Sequence, residues 1–221
     1  MQPNRHGLLA QQPLLPRADL EAIGPQAVLL PQFAAAEAAN LCAQVQELLD
    51  TSPWRHMQTP GGQRMSVAMT NCGRAGWVSD RAGYRYQSVD PCSGRPWPAM
   101  PRGWIALAAR AAARAGFAHF EPDACLVNRY EPGARLSLHQ DRNERDFSAP
   151  VVSVSLGLPA VFLFGGARRE DPVQRLALFH GDVVIWGGAQ RLAFHGVQPL
   201  ADGCHPELGR CRINLNFRRA L

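Results

Sequence analysis

From residue 123 onward the chain reads as a succession of short runs: Ala124–Tyr130, Val151–Leu156, Ala160–Phe164, Arg175–Phe179, Asp182–Trp186, Leu192–Phe194 and Arg212–Phe217. Turn signals separate them, among them Glu131-Pro132-Gly133, Gly165-Gly166, His180-Gly181-Asp182, Gly187-Gly188 and Asp202-Gly203. Val151–Leu156 and Arg212–Phe217 alternate polar and apolar positions with period two, the pattern of a strand with one face turned to a core. Many short strands at this spacing predict a β-sandwich or jelly roll. A doubly wound parallel sheet would need a helix between successive strands, and the chain leaves no room for one.

The first half has another rhythm. A short apolar strand at Ala27–Leu30 precedes a helix from about Ala34 to Leu49, with Leu41, Val45, Leu48 and Leu49 at helical spacing; Asp50, Ser52 and Pro53 close it. A second helix is predicted from about Pro101 to Ala115: proline sits in its first turn, Trp104, Leu107 and Ala111 lie along one face, and Gly116 follows its end. Between the helices, residues 54–98 are rich in Gly, Pro and aromatics, with strand-like pieces at Met65–Thr70 and Tyr84–Ser88. That composition predicts hairpins and loops laid over a site, a lid rather than a core. Residues 1–25 read as an irregular lead-in. The expectation is one α+β, mainly β domain over 1–221, with a double-stranded β-helix (jelly-roll) core at 123–219, helices outside it and a lid at 54–98.

Composition narrows the chemistry. The chain has 221 residues, 46% of them hydrophobic, enough for a full core. Its net charge is +5, and all 23 basic residues are arginine. Without lysine, Schiff-base chemistry, a P-loop and a lysine general base are excluded. Arginine pairs with carboxylates and phosphates through a planar fork, so the balance favours anionic partners. Met1–Arg17 has no apolar run long enough for a signal peptide, and no stretch approaches the ~20 apolar residues of a membrane span. The six cysteines show no C-x-x-C pair and are expected as reduced thiols of a cytoplasmic protein. Cys204, His205 and Cys211 would offer zinc ligands, but their spacing matches no standard zinc module.

One constellation carries chemistry. In Ser137-Leu138-His139-Gln140-Asp141 an imidazole and a carboxylate stand two residues apart; on an extended segment both reach one cation. His195 follows beyond several strands. Two histidines and one carboxylate on one face of a metal leave the opposite positions open, the facial triad of non-haem Fe(II) oxygenases. On the last strand Arg212, Asn214 and Arg218 share parity and leave the same face. Arginines turned into a barrel need an anion, and a dicarboxylate bound to the metal at one end satisfies them.

Several long stretches then resemble the AlkB family of bacterial repair dioxygenases: Thr59–Gly62, Met65–Gly73, Pro96–Pro101, Pro122–Leu126, Asn128–Tyr130, Leu136–Asp141, Pro150–Phe162 and His180–Val184. The likeness runs from about residue 20 to residue 219. It implies Fe(II) held by His139, Asp141 and His195, and 2-oxoglutarate held by Arg212 and Arg218 with Asn128, Tyr130 and Asn214. The implied reaction consumes O2, converts 2-oxoglutarate to succinate and CO2, and removes an N-methyl group from a base as formaldehyde. The lid at 54–98 becomes a nucleotide-recognition lid. Trp77 is implied to stack on a flipped base with His139 on its other side, Met69 and Tyr84 to line the pocket, Tyr84 to meet the substrate backbone, and Arg169 to lie near the base. Gly73 and Gly76, flanking Trp77, suggest a mobile loop. A cationic lesion such as 1-methyladenine or 3-methylcytosine cannot pair normally, is easily extruded and stacks well between rings.

The chain departs from the family pattern at Asn143, where an acid contacting the base is expected, at Gln63, where a tyrosine is expected, and at Leu163, where a polar residue is expected. An amide accepts a hydrogen bond without the charge, so substrate discrimination is expected to shift while the oxidising chemistry stays intact. The expected partner is alkylated single-stranded or duplex DNA, met by a monomer, with no membrane. RNA, a small molecule or a protein side chain is the rival substrate, and an inactive jelly-roll binding domain the rival of another class.

Overall fold

The computed structural model describes residues 17–221. Its frame follows from the period-two segments. In chain order the elements are β1 (Glu21–Gly24), β2 (Ala27–Leu30), α1 (Ala38–Leu49), β3 (Ala68–Gly73), β4 (Gly76–Asp80), β5 (Gly83–Gln87), α2 (Arg102–Arg114), β6 (Ala124–Tyr130), β7 (Leu136–His139), β8 (Val151–Gly157), β9 (Ala160–Phe164), β10 (Gln174–Leu178), β11 (Val183–Trp186), β12 (His195–Val197) and β13 (Arg212–Arg218). Seven strands form one antiparallel sheet in the order β1-β2-β11-β8-β13-β6-β3, and four form a second, β10-β9-β12-β7. The two sheets enclose an inner space, the jelly roll that alternation predicts.

Parity sorts each central strand into two faces. Cys125 and Val127, Val152, Val154 and Leu156, Val183 and Ile185, and Ile213, Leu215 and Phe217 leave the outer face of the large sheet. There they meet Leu41, Val45 and Leu48 of α1 and Trp104, Leu107 and Ala111 of α2. Each such side chain contributes about 1.5–3 kcal/mol by burial, so this layer anchors the fold. The intervening residues face inward, where Leu126, Tyr130, Val184 and Trp186 pack against Phe162, Phe164 and Val197 of the small sheet. On β13 the inward set is Arg212, Asn214, Asn216 and Arg218, every one of them buried.

Sequence and structure differ in several places. The helix expected from Ala34 begins as a 3-10 turn at Ala35–Glu37 and becomes α-helical only at Ala38. There the Ala34 N–H donates to the carbonyl of Gly181, whose positive φ and close approach to Ala35 exclude a β-carbon. The lead-in contains a strand: Glu21–Gly24 pairs with β2 at the sheet edge. The 54–98 stretch divides in two, because Ala68–Gly73 pairs with β6 inside the large sheet while Gly76–Gln87 forms a separate hairpin. Leu192–Phe194 is not extended; the strand starts at His195. Among the described residues no helix is long and apolar enough to cross a membrane.

Candidate active site

Strand register assembles the site. On the small sheet His195 of β12 pairs directly with His139 of β7, and their ring centroids lie 4.4 Å apart. Asp141 follows β7 by two residues. Donor atoms of His139, Asp141 and His195 all fall within 4.8 Å of one another, and among the described residues no other histidine, cysteine or acid group converges in this way. Cys204, His205 and Cys211 therefore form no such cluster. Both imidazoles are oriented from behind: Nδ1 of His139 lies 2.9 Å from the Ser137 carbonyl, and Nδ1 of His195 lies 3.0 Å from that of Ala193. A carbonyl only accepts, so Nδ1 carries the proton and Nε2 presents its lone pair to the centre. Burial, reinforced by neighbouring His139, pulls the His195 pKa down to about 3, which keeps that ring neutral. A neutral ring with Nε2 turned to the centre, as at His195, is the form a divalent metal requires.

The large sheet supplies the opposite wall. Arg212 pairs across the register with Tyr130, and Asn214 with Asn128. The Arg212 guanidinium lies over the Tyr130 ring at 5.1 Å and donates from Nη2 to Ser155 Oγ at 3.0 Å. Its Nε and Nη1 are buried without a protein partner, as is Asn128 Oδ1. A buried cation with two unused donors calls for an anion. The donor set thus fits a carboxylate ligand beside a metal. Asn214 donates to Ser153 Oγ at 2.8 Å, and Asn216 bridges to Asn214 Oδ1. Ser153, Ser155 and Asn216 were not singled out in the sequence, yet the polar positions of Val-Val-Ser-Val-Ser-Leu, set beside the polar parity of β13, carried the signal.

Arg218 is engaged differently from Arg212. Its Nε and Nη2 grip Asp141 Oδ2 at 2.8 and 2.7 Å. Burial alone would raise the Asp141 pKa, but Arg218 overrides it and holds the carboxyl well below the usual range. The expected co-substrate arginine is thus also the orienting partner of a candidate metal ligand.

A cavity of about 850 Å³ opens above the triad. Met69, Trp77, Tyr84, Asn143 and Arg169 all line it, as do Asn128, Tyr130, Asn214 and Gln63, whereas Leu163 does not. Trp77 and Tyr84 stack on each other at 5.6 Å, so one face of Trp77 is covered by Tyr84. The Trp77 indole N–H donates to Asn143 Oδ1 at 3.2 Å, and Asn143 Nδ2 donates to the Tyr84 carbonyl at 3.4 Å. The Arg169 guanidinium lies over Phe194 and donates to the Leu138 carbonyl at 2.7 Å. The glycines flanking Trp77 are required by close packing. A β-carbon on Gly76 would overlap Trp97, and Gly73 combines a φ of +114° with contact to the Asp123 carbonyl.

Comparison with known proteins agrees with this chemistry. Residues 26–218 match the profile of the 2OG-Fe(II) oxygenase superfamily. The chain is 56% identical over 200 residues to the alpha-ketoglutarate-dependent dioxygenase AlkB of Escherichia coli K12, covering 90% of this chain and 93% of that protein. It is 47% identical over 176 residues to an AlkB homolog of Caulobacter vibrioides, covering 77% and 76%. A solved structure of OsALKBH1 superposes with a TM-score of 0.79 at 29% identity, covering 90% of this chain and 99% of that one. The protein belongs to the AlkB family of Fe(II)- and 2-oxoglutarate-dependent dioxygenases, enzymes whose chemistry draws on ferrous iron, 2-oxoglutarate and O2.

Proposed function

We propose that this enzyme is a DNA repair dioxygenase that removes N-methyl groups from 1-methyladenine and 3-methylcytosine. The observation that carries the reading is the juxtaposition inside one cavity. The histidine–aspartate triad and the half-satisfied Arg212 lie at its floor, and the stacked Trp77 and Tyr84 lie at its rim. Arg64, Arg135, Arg142 and Arg169 also line it, and none of them has a carboxylate within ion-pair range among the described residues. Guanidiniums without carboxylate partners around an aromatic slot suit a strand of phosphates presenting one extruded base.

In this reading His139, Asp141 and His195 hold the iron through Nε2, carboxylate and Nε2. Arg212 would grip a carboxylate of 2-oxoglutarate, with Asn128, Tyr130 and Asn214 shaping its seat, and Arg218, which also lines the cavity, orients Asp141. Bound iron, 2-oxoglutarate and O2 supply the oxidant that hydroxylates the N-methyl carbon, which leaves as formaldehyde beside succinate and CO2. Trp77 and Tyr84 position the base over the triad, Met69 and Arg169 bound its pocket, and Asn143 contacts its edge. A single domain with the 76–87 hairpin as its recognition lid, acting as a monomer in the cytoplasm, completes the reading; all six cysteines being free thiols supports that compartment.

A second reading directs the same core to RNA. It has support from the fission-yeast tRNA demethylase abh1, which is 36% identical over 115 residues, 47% of this chain and 38% of that protein. One assay separates the two. The protein, reconstituted anaerobically with Fe(II), receives 2-oxoglutarate, O2 and DNA or RNA oligonucleotides bearing either lesion. Formaldehyde and restored base are expected with DNA and are lost in His139→Ala or with a chelator. Restored base on RNA alone would move the assignment to RNA. Succinate without restored base on any oligonucleotide would remove the repair function and leave the oxygenase.

A further inference from the structure

The hairpin presents one face to the cavity, and that face reaches further than base recognition. Trp77 of β4 stands opposite Tyr86 of β5, and Tyr84 precedes Tyr86 by two residues, so the three side chains leave the same side. Trp77 and Tyr84 line the cavity. Tyr86 instead passes its hydroxyl inward and donates to Glu144 Oε1 at 2.9 Å.

Glu144 is deeply buried, its side chain only 2% exposed. It sits between two arginines: Arg191 Nη2 at 3.4 Å and Arg218 Nε at 3.4 Å. Arg218 holds Asp141 at the same time, and its Nη1 lies 3.4 Å from the Tyr86 hydroxyl. Arg191 completes the loop, donating to the Asp141 and Ala149 carbonyls at 3.0 Å each. Residues 141–149 are thereby wrapped around a buried core of two acids and two arginines, with the candidate metal ligand at one end. Burial pushes the Tyr86 phenol well up, so it remains a donor at any working pH. A buried network of this kind has few alternative arrangements, because losing one partner leaves the others unpaired in a dry interior.

We propose that Tyr86 and Glu144 are positioning residues that couple closure of the 76–87 hairpin to the metal and 2-oxoglutarate site, through Arg218 and Asp141. The proposal rests on the reading of that site given above. Among the described residues, the other side-chain hydrogen bonds between the hairpin and the 139–144 segment run through the exposed amide of Asn143. Through the Tyr86 contact, a hydroxyl on the substrate-binding face reports the state of an arginine that grips a metal ligand. Coupling of this kind is reciprocal: loading the site steadies the hairpin, and a steady hairpin favours loading.

Amide hydrogen exchange over residues 76–87 tests this without any nucleic acid. Wild type and Tyr86→Phe are compared metal-free, and again with Fe(II) and 2-oxoglutarate under anaerobic conditions, alongside calorimetric titration of 2-oxoglutarate. In wild type, loading should slow hairpin exchange. In Tyr86→Phe the metal-free hairpin should exchange faster, the slowing on loading should vanish, and 2-oxoglutarate should bind about tenfold more weakly, the loss of one hydrogen bond to a charged group. Exchange in α2 should not change, which separates coupling from general loosening. Glu144→Gln, which keeps shape and removes charge, should weaken 2-oxoglutarate binding similarly; if it does not fold, Tyr86→Phe carries the test alone. Wild-type affinity in Tyr86→Phe, a hairpin that ignores loading in wild type, or α2 loosening in parallel would each overturn the coupling while leaving the site reading intact. Failure of wild type to bind 2-oxoglutarate at all would overturn both.

Discussion

The floor and the rim of the cavity are built on opposite principles. At the floor most polar groups are buried on paired strands: Arg212 is 1% exposed, and Asn214, Arg218 and His195 are each 4% exposed. At the rim Tyr84 is 45% exposed, and Arg64, Arg142 and Asn143 are likewise open to solvent. In the proposed reading the floor holds a metal and a dicarboxylate, and the two sheets flank it from both sides. In the same reading the rim admits a base on a flexible strand, and its side chains sit on a hairpin and loops. Chemistry is placed where backbone is stiff, and selection where side chains can adjust.

The sharpest way to break this division is at Arg212. Arg212→Met keeps volume and removes the charge, and 2-oxoglutarate binding measured anaerobically should weaken by about 150- to 5000-fold, the 3–5 kcal/mol scale of removing one partner from a buried ion pair. Affinity for a methylated oligonucleotide, measured without 2-oxoglutarate, should be untouched; if it fell in step, floor and rim would not be separable. Trp77→Ala probes the other side. Loss of base stacking, about 1–3 kcal/mol, should lower kcat/KM for the oligonucleotide roughly 5- to 150-fold, while 2-oxoglutarate affinity in the absence of nucleic acid, linked to the hairpin through Tyr86 and Glu144 rather than Trp77, should fall far less. A parallel loss of 2-oxoglutarate affinity would contradict the comparison.

Asn143→Asp acts within the rim alone. It exchanges the donor that reaches the Tyr84 carbonyl for a charge facing the base, and the ratio of rates on 1-methyladenine and 3-methylcytosine should change by about threefold to tenfold. An unchanged ratio would remove Asn143 as a discriminator. The smallest effect concerns the support beneath the rim, where Arg55 grips Asp90 and lies over Trp97. Arg55 lowers the Asp90 pKa from 3.8 to about 2. The pair's contribution to stability is therefore full above about pH 4 and disappears as pH falls through about 2. The Tm gap between wild type and Asp90→Asn should narrow over that interval; a constant gap would mean that the ion pair is not what Asn removes.

Much of this was legible in the chain. Ala160–Phe164 and Ala124–Tyr130 are strands at the residues their apolar runs indicate, and β8 and β13 follow their alternation to within one residue. The inward parity of Arg212, Asn214 and Arg218 was visible as well. Glu21–Gly24 was not, because a four-residue edge strand with one buried side chain carries too little pattern, and its partner β2 completes it only in space. Glu144 and Arg191 were missed for a related reason. Asp-Arg-Asn-Glu-Arg-Asp reads as a solvated polar run, and nothing local shows that Glu144 is buried.

The sequence by itself determined the fold class, the His139–Asp141 pair and the two inward arginines, because periodicity and i, i+2 spacing are local properties of the backbone. His195 was tied to that pair by resemblance, and the register of β12 on β7 is what brings it to them. Only the tertiary structure decided that Arg212 keeps unused donors while Arg218 holds Asp141, and that Tyr86 touches the same network. Those pairings join residues as far apart as 77 and 132 positions. They depend on which strands lie side by side and in what register, which no local pattern encodes.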